Sequence, residues 1–139
     1  MTPYLDASVV VSLIVQDIHT ARARTLAAQC ERFLLSDLTT AEFSSALAIR
    51  LRNRTLADTE VRASLLLYDA WRLRSANTAE VEPNDIRQAD EIIRRLDNAL
   101  RAPDAIHVVI AKRLGAPLAT FDRTMARDAR DLGVNLVEL

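Results

Sequence analysis

The chain has 139 residues, half of them apolar and 27% charged, enough for one domain with a core and too few for two ordinary ones. Eighteen basic against nineteen acidic side chains leave a net charge of −1, so there is no global basic field for nucleic acid, and a charged partner must be met by a local patch. A lone cysteine, Cys30, excludes a disulfide framework and a thiolate zinc site, two scattered histidines exclude a histidine-rich one, and two glycines, Gly115 and Gly133, exclude a P-loop and a GxGxxG turn.

From the amino end, residues 1–6 carry no basic stretch, and the apolar run 9–15 is interrupted by Ser12 and followed by Gln16 and Asp17, so it reads as a buried helix rather than a signal peptide or a membrane span. With the reduced cysteine this sets the expectation of a cytoplasmic protein that does not enter a membrane. Short apolar runs predict strands at 3–5, 32–35, 79–82, 117–121 and 135–137, and stretches of helical period predict helices at 7–15, 19–30, 40–54, 59–75, 85–100, 103–114 and 123–132. Thr39 and Glu42 have the spacing of a capping box, Pro103 suits a first helical turn, and the two glycines suit helix exits. Strands alternating with helices predict an α/β fold in three layers, with a parallel central sheet of about five strands covered by about seven helices. No linker, repeat or low-complexity segment breaks the chain, so residues 1–139 read as a single domain.

Four acids draw attention on this map. Asp6 ends the first strand and begins the first helix, Glu42 opens the helix after the second, and Asp122 follows the fourth. Asp104 opens the helix that enters the fourth strand, and such a helix runs antiparallel to its strand, so its start returns to the same carboxyl edge. Acids gathered on one rim repel unless a cation neutralises them, and oxygen-only donors select Mg²⁺ or Mn²⁺ over zinc, which in turn points to phosphodiester hydrolysis by an activated water. Each acid also has a plainer reading, as an N-cap (Asp6, Asp122), as half of a capping box (Glu42) or as a complement to a helix dipole (Asp104).

Ser8 and Thr120 stand two residues from Asp6 and Asp122, where their hydroxyls could orient a carboxylate or serve only as local caps. His107 sits in an apolar run and reads as a packed histidine. All basic residues but Lys112 are arginines; most read as solvated helix faces, with Arg101, beside the Pro103–Asp104 helix start, the best candidate for RNA contact. The helix at 59–75 carries Val61, Leu65, Leu66, Tyr68 and Trp71, a wider apolar face than one buried stripe requires, so part of it is expected to meet a partner.

Leu5-Asp6-Ala7-Ser8, Ser36-Asp37-Leu38-Thr39-Thr40-Ala41-Glu42, Leu100-Arg101-Ala102-Pro103-Asp104-Ala105 and Ala119-Thr120-Phe121-Asp122, in this order, resemble the motifs of the PIN-domain ribonucleases over essentially the whole chain. Size and motif order are most similar to the VapC-type toxins of toxin–antitoxin pairs. The resemblance implies an acidic quartet at Asp6, Glu42, Asp104 and Asp122, all four as catalytic and metal-binding residues for Mg²⁺ or Mn²⁺, with supporting hydroxyls on Ser8 and Thr120. It further implies an RNA substrate, a small cognate antitoxin and a homodimer. A receiver-like signalling module is a competing use of an acidic rim holding Mg²⁺, but it needs an aspartate ending the third strand and a lysine ending the fifth; residues 80–83 are Glu-Val-Glu-Pro, and Lys112 lies within a predicted helix. A catalytically silent binding protein is the third reading, and the intact quartet speaks against it.

Overall fold

The computed structural model describes residues 1–139. Its centre is β1 (Tyr4–Leu5), paired in parallel with β2 (Phe33–Leu35) on one side and β4 (Leu118–Ala119) on the other. β3 (Ala76–Thr78) adds to β2, so the sheet order is β3-β2-β1-β4, with every pair parallel. Successive strand residues face opposite layers. Tyr4 and Leu118 enter one apolar core with Ala105, Val108, Val109, Met125 and Ala129, whereas Leu5 and Ala119 enter the other with Val9, Val10, Phe33, Leu35, Phe43, Leu47 and Tyr68. The first core belongs to α5 (Pro83–Arg94), α6 (Ala102–Leu114) and α7 (Arg123–Asp131). The second belongs to α1 (Ala7–Ile14), α2 (Thr20–Gln29), α3 (Asp37–Arg52) and α4 (Asp58–Ser75). The three-layer α/β expectation with seven helices holds.

The sheet has four strands rather than five, because the segment expected at 135–137 contributes only a single parallel bridge, Leu118 to Leu136. The third strand lies at Ala76–Thr78, directly after α4, and not at 79–82. It is an edge strand whose Asn77 and Thr78 are exposed, so it has no apolar run to reveal it. Arg32 fastens its start by donating to the carbonyls of Arg74 at 2.9 Å and Ala76 at 3.0 Å. Helix α5 stops at Arg94, short of the expected residue 100. Leu96 takes a positive φ of 56°, and the Asn98 side chain donates to the Ile92 carbonyl at 3.0 Å, which closes the helix without a glycine. Gly115 ends α6 in the left-handed conformation at φ 61°, as its position suggested.

Helix α3 begins at Asp37, three residues earlier than expected, and Ser36 is its cap, accepting from the Thr39 N–H at 3.2 Å. The Thr39–Glu42 capping box is therefore not formed. Thr39 instead donates its hydroxyl to the Leu5 carbonyl at 3.0 Å, and Glu42 lies in the second turn of α3, not at its start. No helix is long and apolar enough to cross a membrane.

Candidate active site at the carboxyl edge of the sheet

The chain leaving β1 turns immediately into α1, and Asp6 caps that helix by accepting from the Val9 N–H at 3.3 Å. The same carboxylate receives two hydroxyls, Ser8 on Oδ1 and Thr120 on Oδ2, each at 2.6 Å. Both hydroxyls are bonded onward to the β4–α7 connection, Ser8 accepting from the Phe121 N–H at 2.9 Å and Thr120 from the Asp122 N–H at 3.0 Å. Asp122 in turn caps α7 through the Met125 N–H at 3.0 Å. Asp6 and Asp122 are thus N-caps and members of one network at the same time. Asp6 is buried without an ion-pair partner, and burial pushes its carboxyl above the usual carboxylate range, against the opposing pull of the two hydroxyls.

Glu42 reaches the site from α3, and its carboxylate meets Nε2 of His107 on α6. The His107 ring is fully buried, and its Nδ1 lies 2.7 Å from the Tyr4 hydroxyl, which lies 2.7 Å from Ser36 Oγ. A neutral ring protonated on Nε2 satisfies the whole chain: Nε2–H donates to Glu42, Tyr4 O–H donates to Nδ1, and Ser36 donates to Tyr4. Burial pushes the Tyr4 phenol up to about 12, so it remains a donor over the physiological range. His107 is packed, as its apolar surroundings suggested, but it also holds a member of the acidic set. Its one available signal was its place three residues after Asp104, on the same side of the helix.

A cleft of about 480 Å³ opens above this network, lined by Ala7, Ser8, Asp17, Glu42, Arg50 and Asp122 among others. Of the expected quartet, Glu42 and Asp122 line this cleft, and Asp6 is buried next to it, joined to its wall through the Ser8 hydroxyl. Asp104, mostly buried, accepts from the Arg101 N–H at 3.2 Å and stands one helical turn from His107; it does not line the cleft. Arg101 is 84% exposed and lies 3.5 Å from the Asp104 carboxylate. Asp17 is an acid that sequence reasoning passed over; it accepts from Ser12 Oγ and the His19 N–H at 2.8 Å, so it shapes the entry to α2.

No three of the acids and histidines close into a ready-made metal cage. That does not conflict with Mg²⁺, which is commonly held by one or two carboxylates and keeps its waters, and the donors here are oxygens in a cleft where three carboxylates face one arginine. The residues fit a hard divalent cation.

A parallel α/β sandwich with acids at the ends of its first and fourth strands is the arrangement of a PIN domain. Residues 4–130 match the PIN domain model, and the chain belongs to that family. Within it the VapC likeness is plain: the chain is 30% identical over 134 residues to Ribonuclease VapC45 of Mycobacterium tuberculosis (strain CDC 1551 / Oshkosh), covering 94% of this chain and 90% of that protein. The fold matches M. tuberculosis VapC20, described as a sarcin-ricin loop cleaving toxin, with a TM-score of 0.75 at 21% identity over 99% of this chain and 100% of that one. It also matches VapBC2 of Rickettsia felis, solved on a promoter DNA fragment, with a TM-score of 0.69 at 15% identity over 99% and 98% of the two chains. The receiver-like alternative fails on position: β3 ends at Thr78, and Lys112 lies within α6.

Proposed function

We infer that this chain, acting as one domain over residues 1–139, is a metal-dependent endoribonuclease and the toxin of a toxin–antitoxin pair, working in the cytoplasm. One observation carries the reading: a buried carboxylate, Asp6, is clamped by Ser8 and Thr120 at the carboxyl edge of the sheet, beside a cleft lined by Glu42 and Asp122. Family membership and the VapC likeness support it.

In this reading Asp6, Glu42, Asp104 and Asp122 form the metal-holding set, Glu42 and Asp122 from the wall of the cleft and Asp6 and Asp104 from positions next to it. Mg²⁺ or Mn²⁺ bound there would lower the pKa of a water and offset charge on the attacked phosphate. The chain's own residues do the rest. Ser8 and Thr120 orient Asp6, His107 and Tyr4 hold Glu42 in one rotamer, and the main-chain N–H bonds of the α1 and α7 starts keep Asp6 and Asp122 in register. The antitoxin and a second copy of the chain are the proposed protein partners. Helix α4 supports this, since Leu66, Leu67 and Leu73 are 72%, 51% and 79% exposed.

The test is cleavage of total cellular RNA by the purified chain. EDTA should abolish it, Asp104→Ala should lower it by about 10²-fold or more, and the products should carry 5′-phosphate and 3′-hydroxyl ends. Cleavage that persists in EDTA, or 2′,3′-cyclic phosphate ends, would refute the proposal, because the RNA 2′-hydroxyl would then be the nucleophile.

A further inference from the structure

The acidic cleft is continuous with a second one of opposite character. His19, Phe121 and Asp122 line both. Beyond them the second cleft, about 940 Å³, is lined by Arg22, Arg123, Arg130 and Ala126, with Glu138 at its rim. Where the acidic cleft sets one guanidinium against three carboxylates, this one sets three guanidiniums against two, Asp122 and Glu138.

Arg62, Arg94, Arg101, Arg113 and Arg127 are engaged in ion pairs, whereas Arg22, Arg123 and Arg130 are among the arginines that are in none, and these three line one cleft together. Arg123, Ala126 and Arg130 fall at i, i+3 and i+7 on α7, one face of the helix, and the two arginines are about 10 Å apart along its axis. Arg127, on the neighbouring row, turns away to Asp128 at 3.2 Å. Arg22 comes from α2. Its guanidinium donates to the Leu139 carbonyl at 3.3 Å, meets His19 Nδ1 at 2.5 Å and lies 4.9 Å from the centre of the Phe121 ring, which stacks on His19 at 4.4 Å, so it is held at the junction of the two clefts without an acidic side chain as partner.

We propose that this arginine-lined cleft is the seat of the substrate's phosphodiester backbone, holding the RNA strand that flanks the phosphate to be cut. The proposal rests on the ribonuclease reading and assigns it residues outside the acidic quartet. A rim of carboxylates repels RNA, and a chain of net charge −1 has no long-range attraction to offset that. Affinity must then come from unpaired cations beside the rim, and arginine's planar fork matches phosphate oxygens. The half-buried Phe121 and His19 rings between the clefts give the strand an apolar wall at the point where it passes from one charge environment to the other.

The experiment measures binding of a mixed-sequence single-stranded RNA oligonucleotide in EDTA across a salt series, together with steady-state cleavage in Mg²⁺. Each lost phosphate contact lowers the slope of log affinity against log salt by about 0.7, so the triple variant Arg22→Ala, Arg123→Ala, Arg130→Ala should flatten it by about 2. Its KM should rise at least tenfold with kcat within threefold. The double variant Arg123→Ala, Arg130→Ala removes two exposed side chains and should flatten the slope by about 1.4. A control with the same loss of charge elsewhere, Arg74→Ala, Arg94→Ala, Arg95→Ala, should leave slope and KM near wild type. If the wild-type chain cuts RNA but the triple variant keeps its slope and KM, or the control loses as much, the cleft assignment is overturned and the ribonuclease reading stands. If the wild-type chain cuts no RNA, the ribonuclease reading falls first.

Discussion

Replacing Asp6 by Asn and by Ala separates a functional carboxylate from a helix cap. Asparagine caps as well as aspartate, its Oδ1 can still accept from Ser8 and the Val9 N–H, and its amide can donate to Thr120, whose hydroxyl reverses. The buried charge disappears, which relieves the burial that pushes the carboxyl upward. Alanine loses the cap, about 1 kcal/mol, and leaves two hydroxyls without their acceptor, about 1 kcal/mol each. For a chain of 139 residues one kcal/mol moves Tm by about 3 °C. In EDTA the Asn variant should therefore melt within about 3 °C of wild type, and the Ala variant about 7–10 °C lower. Both should lose cleavage by about 10²-fold or more, and calorimetric titration should show weakened Mg²⁺ binding in each. An Asn variant that melts like wild type and still cuts RNA would make Asp6 a cap and nothing more, and one that melts as low as the Ala variant would make its carboxylate a structural requirement of the fold. Unchanged Mg²⁺ affinity in the Asp6→Asn, Asp104→Asn double variant would sink the site assignment.

The ion pair that ties α5 to α6 gives a stability prediction away from the site. Arg113 grips the Asp85 carboxylate at 2.8 Å through Nε and again through Nη2, and the Asp85 side chain is only 2% exposed. Arg113→Ala strands that charge and should cost about 3 kcal/mol, a fall of about 10 °C in Tm. Burial pushes the Asp85 carboxyl up, but the Arg113 bonds and charge and the Glu82 N–H outweigh it and hold it below its ordinary range. A depressed carboxylate stabilises the fold above its unfolded pKa and loses that contribution as pH falls through the folded value, so the gap between wild type and variant should be full at pH 7 and shrink below about pH 4. A gap that stays constant to pH 3 contradicts the assignment. For assembly, sedimentation should find a dimer that Leu66→Glu, Leu73→Glu converts to a folded monomer; a wild-type chain that remains monomeric at high concentration removes α4 as a self-association face.

The alternation of strands and helices, and the position of Asp6 and Asp122 at strand-to-helix junctions, were legible in the sequence because their signals are local. A short apolar run, a cap residue and a 3.6-residue period each lie within a few positions of one another. Gly115 was legible for the same reason. The edge strand Ala76–Thr78 was not, since a strand buried on one side needs no apolar run, and 79–82 offered a more apolar alternative through Ala79 and Val81. The cap of α3 fell to Ser36 rather than Thr39 because the Thr39 hydroxyl is drawn to the Leu5 carbonyl, 34 residues away.

At the site the division is the same. The acids could be named from the chain, but only the tertiary structure separates Glu42 and Asp122, which line the cleft, from Asp6 and Asp104 next to it. His107 read as a core residue because nothing near it in sequence shows that Glu42, 65 residues earlier, meets its ring. Among the arginines the sequence singled out only Arg101, which lies 3.5 Å from Asp104, and it took the folded chain to pair Arg113 with Asp85 and to bring Arg22, Arg123 and Arg130 together along one cleft. A side chain's type and its place on an element are set within a few residues, whereas its partner is set by which distant segments the sheet brings together.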